Sequence, residues 1–205
     1  MHPDKREHII NKAVELFAEK GFEGSSIRDL AKKAEVNIAM VNYYFGSKEK
    51  LYEALIEKRV LYMSATIDQI IRNSALSCIQ QMDQIINSYI TRFLSDPLYQ
   101  RVVQQELLVT HREQMHQQII NLIVKNAKDV VSVIKKGIRK KEFKKADPEL
   151  LFASILGTIS QVMMSKTLCN LLMDKPADFN PYADKQFQKR LTTHIQQMTH
   201  ALLIQ

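Results

Sequence analysis

The polar side chains that stand close together in this chain are hydrogen-bond donors and cations rather than paired acids, bases or nucleophiles. Between residues 25 and 48 stand Ser25, Ser26, Arg28, Asn37, Asn42, Tyr43, Tyr44 and Lys48. Short hydroxyls, rigid phenols and a lysine at a helix start suit phosphate oxygens, and a carboxamide suits the edge of adenine. Arg28 has two uses open to it, because a guanidinium reaches a phosphate or takes guanine O6 and N7 together. The chemistry implied is recognition of a polyanion, not bond making. No catalytic arrangement stands out elsewhere. The six histidines, His2, His8, His111, His116, His194 and His200, include no i, i+4 pair, so no H-x-x-x-H metal face arises. A Gly-rich phosphate loop, a nucleophile elbow and a zinc cysteine set are all missing from the sequence. We therefore expect no catalytic residue, no metal and no cofactor.

The elements that must position these donors are short helices. Ile27, Leu30 and Ala31 fall at i, i+3, i+4, which predicts a helix with Arg28, Lys32 and Lys33 off its apolar face. Ser25 or Ser26 is its N-cap, and Asp29 has capping-box spacing from Ser26. Glu35-Val36-Asn37 interrupts the pattern, with Asn37 suited to a turn and to capping the next helix. That second helix, IAMVNYYF, ends at Gly46, and Ser47 to Lys50 opens a third. Two helices of about two turns around a turn of three or four residues make a helix-turn-helix, whose second helix lies in a DNA major groove. Ile38, Ala39, Met40, Asn42 and Asn37 fall on its leading face, where Ala or Met can meet a thymine methyl. Phe45 is expected in the core and Tyr43 outside, with Tyr44 unassigned.

The segment GFEGSSIRDLAKKAEVNIAMVNYYFGSKEKLYEAL resembles the DNA-binding head of the TetR family of transcriptional regulators. The resemblance is carried by Gly21-Phe22, Ser25-Ser26, the helix Ile27 to Ala34, Val36, Tyr43-Tyr44-Phe45 and Lys48 to Leu51. One departure is Asn42-Tyr43-Tyr44-Phe45, where that family more often has Tyr-Tyr-His-Phe. The resemblance covers about a quarter of the chain. It implies an all-α fold, a head over residues 1–47, and a ligand-binding and dimerising helical body over 48–205.

The rest of the 205 residues supports that class. Hydrophobic residues make up 45% of the chain, Gly and Pro number five each, and no stretch alternates as a strand does, so an all-helical fold is expected. The net charge of +7 fits a polyanion partner only weakly. Residues 1–59 hold eleven Lys/Arg against ten Asp/Glu, so a binding face must come from charge placement. Much of the excess sits in Lys135 to Lys145, read as a solvated helix end. No signal peptide and no apolar span of membrane length is present, so a cytoplasmic protein is expected. Cys78 and Cys169 read as buried packing residues. The helical pattern continues over about 4–20, 48–73, 77–94, 98–111, 114–141, 147–173 and 184–205, with a loop at 174–183.

Helical bundles hold small molecules between helices in mostly apolar pockets. Tyr62, Met63, Met82, Tyr89, Phe93, Leu107, His111, Ile123 and Met163 are candidate lining residues, with Arg92 or Glu106 as polar handles. Each competes with a plain core role. The helix opened by Asp147-Pro148 is apolar around most of its circumference and asks for a partner. Ala153, Ser154, Gly157 and Ser160 allow close approach, while Leu156, Met164 and Leu168 can interdigitate. The last helix offers Leu191, Ile195, Met198 and Leu202. In the resembled family the last two long helices form a four-helix bundle with their symmetry mates, which implies a homodimer on a palindromic operator. The resulting expectation is a repressor released from double-stranded DNA by a small-molecule effector. Two rivals are a regulator without an inducer, and a helical carrier or enzyme on which the head is incidental.

Overall fold

The computed structural model describes residues 5–108 and 113–204. Among these the regular structure is ten helices: α1 Lys5–Lys20, α2 Ile27–Lys33, α3 Ile38–Phe45, α4 Lys48–Arg72, α5 Cys78–Ser95, α6 Pro97–Leu107, α7 Glu113–Arg139, α8 Pro148–Met164, α9 Lys166–Leu172 and α10 Lys185–Leu203. They fall into two compact units. The first comprises Met1–Leu61 and Leu98–Ile123, the second Tyr62–Pro97 and Val124–Gln205. α4 and α7 each contribute residues to both. No described helix is long and apolar enough to cross a membrane.

In the first unit the helical periodicity of α1 buries Ile9, Ile10, Ala13, Val14 and Phe17. Gly21 stops the helix at φ 71°, a backbone region that glycine enters without steric cost, and its N–H still reaches Phe17 O at 2.9 Å. The reversal drops Phe22 into the core, its ring centroid 5.9 Å from Phe17 and edge-on to Tyr52 at 4.9 Å. Leu30, Val41, Phe45, Leu51 and Leu55 close around this aromatic group. Truncating Phe22 to alanine would cost about 3–5 kcal/mol, the usual loss for a buried aromatic.

The second unit is built on α5, which α8 and α10 flank. Met82, Ile85, Ile86 and Ile90 of α5 meet Ile134 of α7, Ile155 and Ile159 of α8, and Ile195 of α10 in one core. Ser77 and Gln80 form a capping box at the start of α5. Gln81, fully buried, donates through Nε2 to the carbonyls of Ile70, Ile71 and Asn73 at 3.1–3.3 Å, at the end of α4. Glu142 Oε2 accepts the Cys78 N–H at 2.7 Å. Both cysteines are free and buried, and burial pushes both thiols up. Within the run Lys135 to Lys145, Lys135 pairs with Glu149 at 2.6 Å and Lys144 Nζ donates to Ala201 O at 2.9 Å.

One element departs from the sequence expectation. The apolar stretch 147–173 is not one helix but two, broken at Ser165, whose backbone is extended (φ −148°, ψ 107°). Its side chain accepts the Leu168 N–H at 3.1 Å and so starts α9 afresh. A serine hydroxyl offers the backbone this alternative to helix continuation.

Candidate nucleic-acid interface

The head presents α3 on a turn held by side-chain caps. Ser26 is the N-cap of α2: its hydroxyl accepts the Asp29 N–H at 3.1 Å, and Asp29 Oδ2 accepts the Ser26 N–H at the same distance. The Ser26 hydroxyl hydrogen bond to Asp29, at 2.6 Å, holds that carboxyl below the usual aspartate range. α2 ends at Ala34, and the chain then passes through Glu35 at φ 54°. That left-handed residue turns the backbone so that Val36 packs on the core while Asn37 stays outside. Asn37 Oδ1 accepts the Met40 N–H at 2.7 Å and starts α3. Gly46, at φ 78°, ends it.

Along α3 the helical period divides the side chains cleanly. Val41 and Phe45 are buried, while Met40 and Tyr44 are half-buried against the same core. The solvent face is Ile38, Ala39, Asn42 and Tyr43, with Ile38 40% and Tyr43 84% exposed. Tyr44 rests edge-on against Tyr43 at 5.2 Å. On α2, Arg28 is exposed, and Lys32, one turn on, is exposed beside it. Lys32 is an addition to the sequence-derived set. Its i+4 spacing from Arg28 was the available signal.

Two sequence candidates have other work. Ser25 is 5% exposed and donates its hydroxyl to Gly21 O at 2.6 Å, closing the turn between α1 and α2. Lys48 Nζ donates to Phe22 O at 3.0 Å and Ser25 O at 3.1 Å, and lies 4.0 Å from the Phe22 ring centroid. Both knit the turn from inside, so neither is a ready phosphate ligand. Asn37 likewise spends its carbonyl oxygen on the cap.

The candidate effector residues are divided between the two units. Tyr62, Met63, Met82, Tyr89, Arg92, Phe93 and Met163 belong to the second unit, Glu106, Leu107 and Ile123 to the first, and His111 lies outside the described residues. Met63, Met82, Tyr89 and Met163 are buried in the core. Burial, with the Asp129 carboxylate nearby, pushes the Tyr89 hydroxyl well above its ordinary value. Phe93 lies edge-on to Tyr89 at 5.6 Å, and the Arg92 guanidinium sits 4.5 Å over the exposed Tyr62 ring. Glu106 is fully buried and Leu107 exposed. Grooves of the second unit include one of about 370 Å³ between α4 and α5, one of about 580 Å³ between α7 and α8, and one of about 810 Å³ along α8, α9 and α10. Their linings contain none of the candidate effector residues.

The expected interface residues divide by face. Ala153, Gly157, Met164, Leu168 and Leu202 are exposed, while Leu156, Ser160 and Met198 are half-buried. Leu191 and Ile195, expected on the interface, are instead buried in the core of their own unit. Leu171 and Leu172, 70% and 77% exposed, extend the apolar surface onto α9.

Comparison with known proteins bears on the head first. The family model described as "Bacterial regulatory proteins, tetR family" matches residues 9–55. The probable HTH-type transcriptional regulator YttP of Bacillus subtilis (strain 168) is 38% identical over 87 residues, which span 42% of each chain. The structure of the ketosteroid transcriptional regulator KstR2 of Mycobacterium tuberculosis superposes with a TM-score of 0.80 at 16% identity, covering 100% of this chain and 98% of that one. The structure of AibR in complex with isovaleryl coenzyme A and operator DNA gives a TM-score of 0.72 at 13% identity, covering 97% and 98%. At these identities the two structures show a shared fold.

Proposed function

We propose that this chain, whose head belongs to the TetR family of bacterial regulatory proteins, is a sequence-specific DNA-binding transcriptional regulator acting as a repressor. The observation that carries the reading is the exposed face of α3, with Ile38, Ala39, Asn42 and Tyr43 standing clear of a turn capped at both of its helices. Such a helix fits a major groove, and Arg28, Tyr43 and the N-terminus of α3 supply phosphate contacts beside it. Residues 1–47 do this work, and 48–205 bind the effector and self-associate. Repression comes from occupancy, since a protein seated on an operator excludes whatever else binds there.

The apolar surface of Leu150, Met164, Leu171 and Leu172 supports a homodimer through α8, α9 and α10, and a two-fold dimer reads a palindrome. A small-molecule effector is proposed to bias two conformations of the second unit, with α4 carrying the change. The bound isovaleryl coenzyme A of AibR, a protein of the same fold, supports an effector role in general but not the identity of this one. No catalytic role is assigned, and a cytoplasmic location goes with DNA binding. A second reading has an observation of its own. Met63, Met82, Tyr89 and Met163 are packed core, which favours a regulator governed by abundance or a protein partner instead of an inducer.

Fluorescence anisotropy on DNA tiled across the gene's own upstream region, with salt varied, tests the proposal. A tight site that footprints as a palindrome, with a steep salt slope, is expected. Weak binding that is equal on every fragment would refute it.

A further inference from the structure

α3 is eight residues long, about 12 Å at 1.5 Å per residue, which spans roughly three to four base pairs of groove. Its sequence, IAMVNYYF, contains no Arg or Lys to fork onto guanine O6 and N7, and no Asp or Glu to accept from cytosine N4. An apolar side chain pressed against a G·C edge leaves those groove donors and acceptors unpaired, which is costly once water is excluded. A thymine presents a methyl group instead. Ile38 and Ala39 are exposed in the first turn, where a recognition helix reaches base edges. Adenine is read by a carboxamide that accepts from N6 and donates to N7 at once. Asn37 cannot do this, because its Oδ1 is held by the Met40 N–H. Asn42 can: it is exposed, and neither of its side-chain polar atoms is committed among the described residues.

We infer that the three to four base pairs beneath α3 in each half-site are A·T pairs, read by Asn42 on adenine and by Ile38 and Ala39 on thymine methyl groups. This rests on the DNA-binding reading above and adds the base composition that the site selects. Arg28 stands on α2, outside this face, so a G·C pair at the margin of the half-site accords with it.

The test is selection from a random duplex pool with the full-length protein, then anisotropy on the enriched site with single-atom base changes. Thymine-to-uracil replacement in the core should weaken binding by about fourfold for each methyl that is fully buried. Adenine-to-7-deazaadenine at the Asn42 contact should weaken it by about fivefold or more. Asn42→Ala, at an exposed position, should keep the circular dichroism spectrum and lose base preference at one pair only. Enrichment of G·C pairs in the core, or affinity held within about twofold through both base changes, overturns this inference while leaving sequence-specific binding intact. Enrichment of no sequence at all overturns the DNA-binding reading and this inference with it.

Discussion

Replacing Lys48 by methionine removes the ammonium group while keeping an apolar stem beside the Phe22 ring. Two hydrogen bonds disappear, to Phe22 O at 3.0 Å and Ser25 O at 3.1 Å, together with the cation–π contact at 4.0 Å. A hydrogen bond to a charged group contributes about 1.5–3 kcal/mol and an exposed cation–π contact about 0.5–1 kcal/mol. Lys48 is half-buried, so water can replace it at both carbonyls in part. The expected loss is then about 2 kcal/mol, roughly a 30-fold shift in the equilibrium of the head. The assay is amide hydrogen exchange, which resolves the head from the second unit where a single melting curve would not. Protection should fall across Phe22 to Asp29 and leave α5 and α10 unchanged. DNA affinity should fall only in proportion to the population of the ordered head, with the salt slope unaltered. If protection is unchanged and the salt slope drops by about one instead, Lys48 neutralises a phosphate and the internal role is refuted.

Four further outcomes rest on particular contacts. Tyr43→Ala should weaken binding to all DNA sequences alike while changing stability by less than about 0.5 kcal/mol, because the ring is 84% exposed; urea titration and anisotropy check the two parts. A Cβ on Gly137 would overlap the buried Phe143 ring, so Gly137→Ala should destabilise the second unit by about 1–3 kcal/mol despite better helix propensity, measured by thermal unfolding. Gly157 has open space around it in the single chain, so Gly157→Leu should leave the fold intact and raise the dimer dissociation constant by about tenfold or more in analytical ultracentrifugation. The Cys78 N–H holds the Glu142 carboxyl below its ordinary value of 4.5, and a depressed folded value means the contact stabilises above the ordinary value and is lost as pH falls through the folded one. The Cys78 amide proton shift should therefore titrate with a midpoint below 4.5, and a midpoint at or above 4.5 would refute the contact.

How far each signal reaches along the chain decided which features the sequence disclosed and which it hid. The α3 face was legible because its cause is local: Asn37 caps, Gly46 stops, and the aromatic order sets Phe45 inward and Tyr43 outward. Ser25 and Lys48 were read as phosphate donors because a hydroxyl or an ammonium suits a phosphate and a carbonyl equally. Their real acceptors, Gly21 O and Phe22 O, exist as a cradle only after the turn has formed. The capping-box spacing of Asp29 was the local signal for Ser26 over Ser25 as the cap. The break at Ser165 left little trace, since no glycine or proline marks it and apolar residues run on through both sides. On α10 the amphipathic period was right but the facing stripe was not: Leu191, Ile195, Thr199 and Leu203 point inward, whereas Leu202, about 100° away from Leu203, points out. The sequence could not separate effector candidates from core residues, because apolar composition marks a core residue and a pocket wall identically.

Gln81 links two helices by an unusual economy. One amide nitrogen has two hydrogens, yet it serves three carbonyls at the end of α4, so at least one bond is shared. The last turn of α4 is thereby moored to the first turn of α5, in a place where helix ends ordinarily fray. A displacement of α5 should pull on α4 lengthwise, as a rod is pulled, with little of the motion lost to unwinding at that end. Severing the mooring, as in Gln81→Leu, would insert slack into that rod while leaving its apolar packing in place.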